Sequence, residues 1–419
     1  MMIVTRRVTF RLYPKPAQER KLHEWRRLHC YLYNAALADR KDSYQKLNRS
    51  VNYFDQQNRL PEFKKVWPEF VELGAQALQA TLKRVDFAFQ RFFGGLSKYP
   101  RFKSIRNYSG WTYPGTSGWK AHTGGDNGYL DLSNLGRIQM RGKARTWGTP
   151  TTCTIVYRHG KWYASITVNC EPVRETGTGA IGIDFGTLTA IAMSDGTKIE
   201  NPKFLAKTQA KIRQVSKEKR RKRAPNRTQK IKASRRYKKA QAKVSKLMRK
   251  AARQRLDWMH KRTTEIVSCN SLVVTEKLNI SAMTRKPKKG KRKRQKSGLN
   301  RSILDVGWAM MRKMLEYKEA EANGFYLEAP TKTLKPSQRC PQCWNVQPKT
   351  LDERVHYCLK CGCIEDRDVA SARVCLNWAK GLGTSLLDAD QSGSTSKARI
   401  NTGSLKQLAE TKRQKPRPS

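Results

Sequence analysis

Two sets of residues in this chain could do chemistry, one of thiols and one of acids. Cys340-Pro-Gln-Cys343 and Cys358-Leu-Lys-Cys361 stand fourteen residues apart. Each C-x-x-C turns tightly enough to aim two thiolates at one ion, and two such turns complete a tetrahedron, the pattern of a single structural zinc. Lys335, Arg339 and Lys360 lie close by in sequence, and nearby cations help hold thiolates deprotonated. Four protein ligands leave no open coordination position, so no reaction is expected there; a redox pair is the alternative. Cys363 is a fifth cysteine and a possible substitute ligand, with a spacing that fits less well. The other five, Cys30, Cys153, Cys170, Cys269 and Cys375, stand singly in apolar surroundings and are expected as reduced core residues. A tight cluster in a reduced chain favours metal over disulfides.

The acids are Asp184, Glu276 and Asp368. Asp184 follows AIGI, Glu276 ends LVVT, and Asp368 opens DVASARVCLNWA, a helix whose Val369, Ala372, Leu376 and Ala379 are expected to face inward. A carboxylate at the end of a buried strand is costly unless something cationic offsets it. Two divalent ions, about 3.5–4 Å apart, would do so and would support in-line attack on a phosphodiester. Hard oxygen ligands point to Mg²⁺. Taken singly, each acid reads better as a salt-bridge partner; the strand–strand–helix placement of all three brings the metal reading level with that one. Asp366, two residues before Asp368, reads as a helix cap or a surface acid linked to Arg367.

The rest of the chain says what such sites would act on. It has 419 residues and a formal charge of +53, room for two or three domains and far more charge than solubility needs. A polyanion is implied, most simply nucleic acid; a ribosomal or chromatin-type binder and a membrane-surface protein are the rivals. No apolar run of about 18 residues and no signal-peptide core is present, which argues against a membrane or secreted role.

Periodicity supplies the scaffold. Residues 8–14 alternate as a strand stopped by Pro14. Helical spacing dominates residues 15–94, with Leu78, Leu82, Val85, Phe89 and Phe92 on one stripe and Gln79, Lys83 and Arg91 on other faces. Residues 94–115 are rich in Gly, aromatics and Lys/Arg, a composition that suits stacking on bases or a plain structural loop. Residues 152–170 read as a hairpin turning at RHGK, so that a small β-domain is interrupted by helices. Past the linker at 175–179, AIGIDFGTLTAIAMSDGTKIE gives two buried strands. Residues 204–262 form a basic helical region interrupted at 224–228, so cationic that it repels itself without a polyanion. SLVVTEKLN is a further buried strand. The basic tract 284–296 is expected to be disordered when free and to contact nucleic acid. One amphipathic helix is expected over 302–324, with Leu304, Trp308, Met311 and Leu315 on a stripe and Gly324 as its stop. A short strand over 325–330 leads to the cysteines, and the Ser/Thr/Lys-rich tail beyond about 381 reads as disordered.

GIDFGT, TEKLN, the paired C-x-x-C and DRDVASA together resemble the transposon-encoded TnpB (OrfB) proteins, relatives of the compact type V CRISPR effectors. YNAALADRKDSY, LQATLKRVDFAFQRFF, YPRFKS and LNRSILDVGW through PSQRCPQC extend the likeness over nearly the whole chain to about Ala379. The resemblance implies an α+β multidomain protein. Its parts would be a wedge β-barrel (1–14 and 106–176) split by a helical recognition lobe (15–105), and an RNase H-like RuvC nuclease domain (177–335) with a basic helical insertion. A zinc-binding, target-nucleic-acid-binding segment (336–363), in the form of a zinc ribbon, would precede the final RuvC helix (364–381), with a tail at 382–419.

It further implies an RNA-guided DNA endonuclease of an insertion sequence, using a guide RNA from the transposon end and cutting double-stranded target DNA beside a short transposon-adjacent motif. Base pairing supplies the sequence specificity of such systems. Asp184, Glu276 and Asp368 would hold two Mg²⁺ as catalytic ligands, and Cys340, Cys343, Cys358 and Cys361 one Zn²⁺. Gln79, Lys83, Arg101 and Lys103 would contact nucleic acid. One protein per guide, no membrane, and a prokaryotic cytoplasmic, nucleoid-associated setting go with this. The rivals are a nuclease-inactive RNA-guided repressor and a transposase acting directly on DNA ends. One departure stands out: the family's last motif reads D-x-N after DR, and here Ala370 replaces the asparagine, which bears on the surroundings of the acid rather than on the acid itself.

Overall fold

The alternating run near the start becomes a ten-residue strand, β1 (Val4–Tyr13), in a computed structural model that describes residues 3–226, 228–286, 293–350 and 352–381. The tail expected at 382–419 and residues 287–292 of the basic tract lie outside the described residues. Chain contacts divide the molecule into two units, Met1–Val173 and Arg174–Ser419.

In the first unit, Pro16 opens α1 (Pro16–Leu47), a position where proline's missing N–H forfeits no hydrogen bond. Leu22, Trp25, His29, Leu32, Tyr33, Ala36 and Arg40 recur at helical spacing as its buried face. Then come α2 (Tyr53–Asn58), α3 (Leu60–Val66), a 3₁₀ turn (Pro68–Leu73) and α4 (Ala75–Phe93). Leu78, Leu82, Val85 and Phe89 of α4 are buried as their spacing requires. The strands β2 (Gly110–Tyr113), β3 (Trp119–His122), β4 (Gly128–Leu132), β5 (Gly136–Arg141), β6 (Thr149–Arg158) and β7 (Lys161–Cys170) follow.

With β1 they form one seven-stranded sheet in the order β2-β6-β7-β1-β5-β4-β3, every pairing antiparallel. β6 and β7 turn through His159 and Gly160, both at positive φ, which matches the twist of a tight hairpin. Phe10 and Leu12 of β1, Trp162 and Ile166 of β7, and the buried faces of α1 and α4 share one core. Tyr108, Trp111 and Tyr113 from the aromatic run at 94–115 are buried in that core too, whereas Tyr99 and Phe102 remain exposed.

The second unit begins with β8 (Gly179–Asp184), β9 (Thr189–Met193) and β10 (Lys198–Glu200), followed by the basic helices α5 (Phe204–Arg220) and α6 (Arg235–Cys269). Next come β11 (Asn270–Glu276), α7 (Ile280–Met283), α8 (Lys293–Val306), α9 (Trp308–Glu321), β12 (Phe325–Ala329) and α10 (Thr331–Leu334). A small hairpin of β13 (Val355–Tyr357) and β14 (Ile364–Asp366) leads into α11 (Arg367–Ala379). The sheet is mixed, in the order β10-β9-β8-β11-β12: β8, β11 and β12 run parallel, while β9 is antiparallel to both of its neighbours.

Both faces of this sheet are covered, which explains the unbroken apolar runs in its parallel strands. Ile181, Ile183 and Val273 pack with Met259, Ile266, Met311 and Leu315 on one side. Val274 and Ala329 pack with Val374, Cys375 and Leu376 on the other.

Several expectations change. The single helix expected over 302–324 is two, because Gly307 adopts φ 84 between α8 and α9, a conformation that glycine enters without strain. The break resets the helical phase. Leu304 is therefore exposed, while Ile303 and Val306 join Trp308, Met311 and Leu315 in the core. Lys293–Lys296, assigned to a disordered tract, form the first turn of α8. Lys296 there donates to the Met283 carbonyl (2.6 Å). Cys269 is exposed rather than buried. At this helix–strand junction the backbone makes the contact: a Cβ on Gly177 would meet the Cys269 carbonyl at 2.2 Å.

Candidate active site and metal knuckle

β8 and β11 lie side by side and parallel, with Thr275 opposite Ile183. The next residues, Asp184 and Glu276, therefore end neighbouring strands at one level. Side chains alternate along a strand, so both acids project to the face that also carries Gly182 and Val274, the face covered by α11. Gly182 decides how close that helix comes. A Cβ there would sit 2.0 Å from the Ala372 carbonyl, so only glycine lets the helix backbone rest on the strand.

Asp366 caps α11, accepting from the backbone N–H groups of Asp368 (3.1 Å) and Val369 (3.2 Å). It also pairs with Lys198 at 2.5 Å. Its cap role matches one of the two sequence readings, but its charge partner is Lys198. Arg367 reaches Asp368 instead, at 3.4 Å. Asp368 thus sits in the first turn of a helix pressed against the strand that carries Asp184.

The charges of the other two acids reach Asp184. Burial first, then the charges of Glu276 and Asp368, hold the Asp184 carboxyl well above the usual aspartate range, against the opposing pull of the Phe185 N–H and Arg367. Glu276 is also pushed up by burial, partly countered by a hydrogen bond from Ser371, whose Oγ donates to Oε1 at 3.3 Å. Beneath them the buried Cys375 thiol is driven up by burial and by the charges of Glu276 and Asp184. The acids form an open set: they are not among the groups whose donor atoms all lie within 4.8 Å of one another. Hard oxygen donors, with Asp184 and Glu276 desolvated and Asp184 facing the charges of the other two, fit divalent cations such as Mg²⁺.

The thiols are tighter. Cys340, Cys343, Cys358 and Cys361 place all four sulfurs within 4.8 Å of one another, with 3.6 Å between Cys340 and Cys361 and 3.5 Å between Cys343 and Cys358. Sulfurs about 2.3 Å from a tetrahedral zinc stand roughly 3.8 Å apart, so the set fits that ion. The first knuckle is closed by Cys340 N–H donating to the Asn345 carbonyl (2.9 Å) and tied to α11 by Asn377 donating to the Pro341 carbonyl (2.9 Å).

The second knuckle fills the turn between β13 and β14. Gly362 there donates to the Cys358 carbonyl (2.8 Å) and Cys358 to that of Cys363 (2.9 Å). Burial raises the Cys358 thiol, but the N–H groups of Cys361 and Lys360 together with the Cys343 and Cys361 thiols outweigh it and bring the pKa down to about 7. Arg339, expected to face the thiolates, donates to the carbonyls of Leu334 (2.8 Å) and Trp344 (2.9 Å).

Two residues near these sites escaped the sequence reading. Ser371 lies one turn beyond Asp368, and the i, i+3 spacing in DVAS was the available signal. His356 is buried, with its donor atom within 4.8 Å of both Cys340 and Cys363; only its place two residues before Cys358 hinted at it. Of the four residues expected to touch nucleic acid, Arg101 is exposed and Gln79 partly buried. Lys83 pairs with Asp86 (3.0 Å) and lies 4.5 Å from the Tyr53 ring centre. Lys103 lies 4.3 Å from the Tyr33 ring centre, and its backbone N–H and carbonyl are both bonded to Asn34.

Comparison with known proteins gives three family matches: OrfB_IS605, "Probable transposase", over residues 163–287; the Cas12f1-like TNB domain over 308–375; and HTH_OrfB_IS605, "Helix-turn-helix domain", over 1–49. The last span is here a strand followed by one long helix. Among curated relatives, "Putative RNA-guided DNA endonuclease InsQ" of Escherichia coli (strain K12) is 30% identical over 346 residues, 80% of this chain and 82% of that protein. "Putative RNA-guided DNA endonuclease" of Streptomyces pristinaespiralis is 32% identical over 399 residues, 92% and 91% of the two chains. The solved "Structure of the mini-RNA-guided endonuclease CRISPR-Cas_phi3" shares 9% identity over 89% of this chain and 92% of its own, at a TM-score of 0.43, too distant to carry an argument.

Proposed function

We propose, for a chain that belongs to the TnpB (OrfB) family of IS605-type insertion sequences, that it is an RNA-guided DNA endonuclease. It cuts target DNA beside a short transposon-adjacent motif. The observation that supports this reading is that Asp184 and Glu276 end neighbouring parallel strands and that α11, with Asp368 in its first turn, packs on the strand of Asp184. In this proposal the mixed sheet and α11 are an RNase H-like RuvC nuclease domain. The seven-stranded sheet and helices α1–α4 serve as wedge and recognition lobe, and the thiol knuckle is a structural zinc ribbon.

The three carboxylates hold the divalent cations. When bound, Mg²⁺ there supplies an activated water and stabilises the leaving oxygen of the scissile phosphodiester. Ser371 orients Glu276, and Arg367 steadies Asp368. The basic helices α5 and α6 offer charge to the backbone of a guide–target heteroduplex, whose pairing supplies sequence specificity. Among the described residues no helix is long and apolar enough to cross a membrane.

The test is direct. Protein purified with its bound RNA, given matched double-stranded target and Mg²⁺, should cut; Asp184→Ala should keep the RNA and lose the cut. RNA binding without any cutting would favour the repressor reading, and DNA-end processing without bound RNA would favour the transposase.

A further inference from the structure

Cys363 and His356 have no part in the four-thiol set, yet with Cys340 they form a second group whose donor atoms all lie within 4.8 Å of one another. All three side chains are more than nine-tenths buried, Cys340 and His356 almost completely. Simple core filling does not account for them. A buried imidazole needs partners for both ring nitrogens, and His356 Nε2 is buried with no partner among the described residues, while Nδ1 meets Lys349 Nζ. Two thiols and an imidazole, dry and convergent, are the donors that select soft cations over Mg²⁺ or Ca²⁺.

We propose that Cys340, His356 and Cys363 form a second metal site for a thiophilic d¹⁰ cation, Zn²⁺ in the first instance, with the Cys340 thiolate bridging it to the four-thiol site. Charge favours the arrangement: five thiolates against two divalent ions leave one net negative charge, and the Lys349 ammonium stands beside it. Lys349 withdraws from the ring as the cation arrives, which its long flexible stem and its place in irregular chain allow. Gly362, at φ 72, makes the tight turn that points Cys361 outward and Cys363 inward, so that two cysteines one residue apart serve different ions. The proposal stands apart from the nuclease reading, since it concerns only the knuckle.

The experiment is a metal count on the full-length protein with its co-purified nucleic acid. The protein is reduced, exchanged anaerobically into Cd²⁺, freed of loose metal by desalting, and analysed for cadmium per chain. Two ions are expected in the wild type and one in both Cys363→Ser and His356→Phe. One ion in the wild type overturns the proposal, whatever the variants do. Two ions that persist in either variant also overturn it, because the second cation then sits elsewhere, on the acids or on the exposed Cys269. His356→Gln, which keeps size and polarity but loses the aromatic donor, should match His356→Phe; its unchanged far-UV circular dichroism separates ligand loss from misfolding.

Discussion

The thiol knuckle and the acid trio solve opposite assembly problems. The knuckle draws its donors from a short stretch of chain and packs them within 4.8 Å of one another by tight turns. The trio draws its donors from positions 184, 276 and 368 and depends on a mixed sheet to align two strands and on a glycine to admit a helix. The first is a local device that a bound ion would complete; the second is a property of the whole unit. Damage should therefore spread differently: losing a thiol should unfold a hairpin, and losing an acid should silence a reaction while leaving the fold intact.

The sharpest break between them is Asp184→Ala. Target cutting should fall by at least about 1,000-fold, with bound RNA and the thermal midpoint held or slightly raised, since a poorly solvated charge has gone. A rate within tenfold of wild type would remove Asp184 from the active site.

Cys343→Ser should do the reverse. One equivalent of zinc is lost, and amide exchange accelerates in the β13–β14 hairpin while β8 and β11 stay protected, since metal binding and local folding are one equilibrium. Exchange rising equally in the central strands would show that the two sites share one cooperative unit.

A finer contrast lies within two residues. Asp366→Ala removes a cap and should cost about 1 kcal/mol of stability with cutting changed only a few-fold, whereas Asp368→Ala should abolish cutting at nearly unchanged stability. Loss of cutting in Asp366→Ala alone would reverse the assignment.

The smallest effect concerns a buried acid outside both sites. Glu319 is fully buried with neither oxygen partnered among the described residues, and burial pushes its pKa to about 8. The unfolded chain gives up that proton at lower pH than the folded one, so stability falls as pH rises from the ordinary glutamate range towards 8. Glu319→Gln should flatten that slope between pH 5 and 8, read from denaturant midpoints. A slope unchanged in the variant would assign it to other groups, Asp184 first.

The knuckle could be foreseen from spacing alone, because a C-x-x-C fixes its own geometry. The strands bearing Asp184 and Glu276 were visible as apolar runs ending in an acid, but nothing local says that β8 and β11 are neighbours. The similar settings of the acids suggest a shared site and the resemblance to a family strengthens that expectation, but only the topology makes their strands neighbours. What escaped was set by contacts distant in sequence or by backbone conformation. Gly307 broke a helix that periodicity ran straight through, Lys198 took the place expected of Arg367 beside Asp366, and Ser371 became meaningful only once α11 lay on Glu276. Lys83 and Lys103, chosen for their charge, proved to be engaged with Asp86, Tyr53 and Tyr33. Sequence alone does not show which acids and rings a lysine meets in the fold.

Gly182 also makes the gap between α11 and β8 as thin as backbone packing allows. A side chain there works as a shim of chosen thickness: alanine, then serine, then valine would lift the first turn of α11 from the sheet in growing steps. Asp368 would be carried away from Asp184 and Glu276 while those two acids and the basic helices stayed in place. Under the proposed nuclease reading, position 182 is therefore a graded control that should weaken the cut without altering the acids assigned to cleavage or the basic helices assigned to nucleic acid.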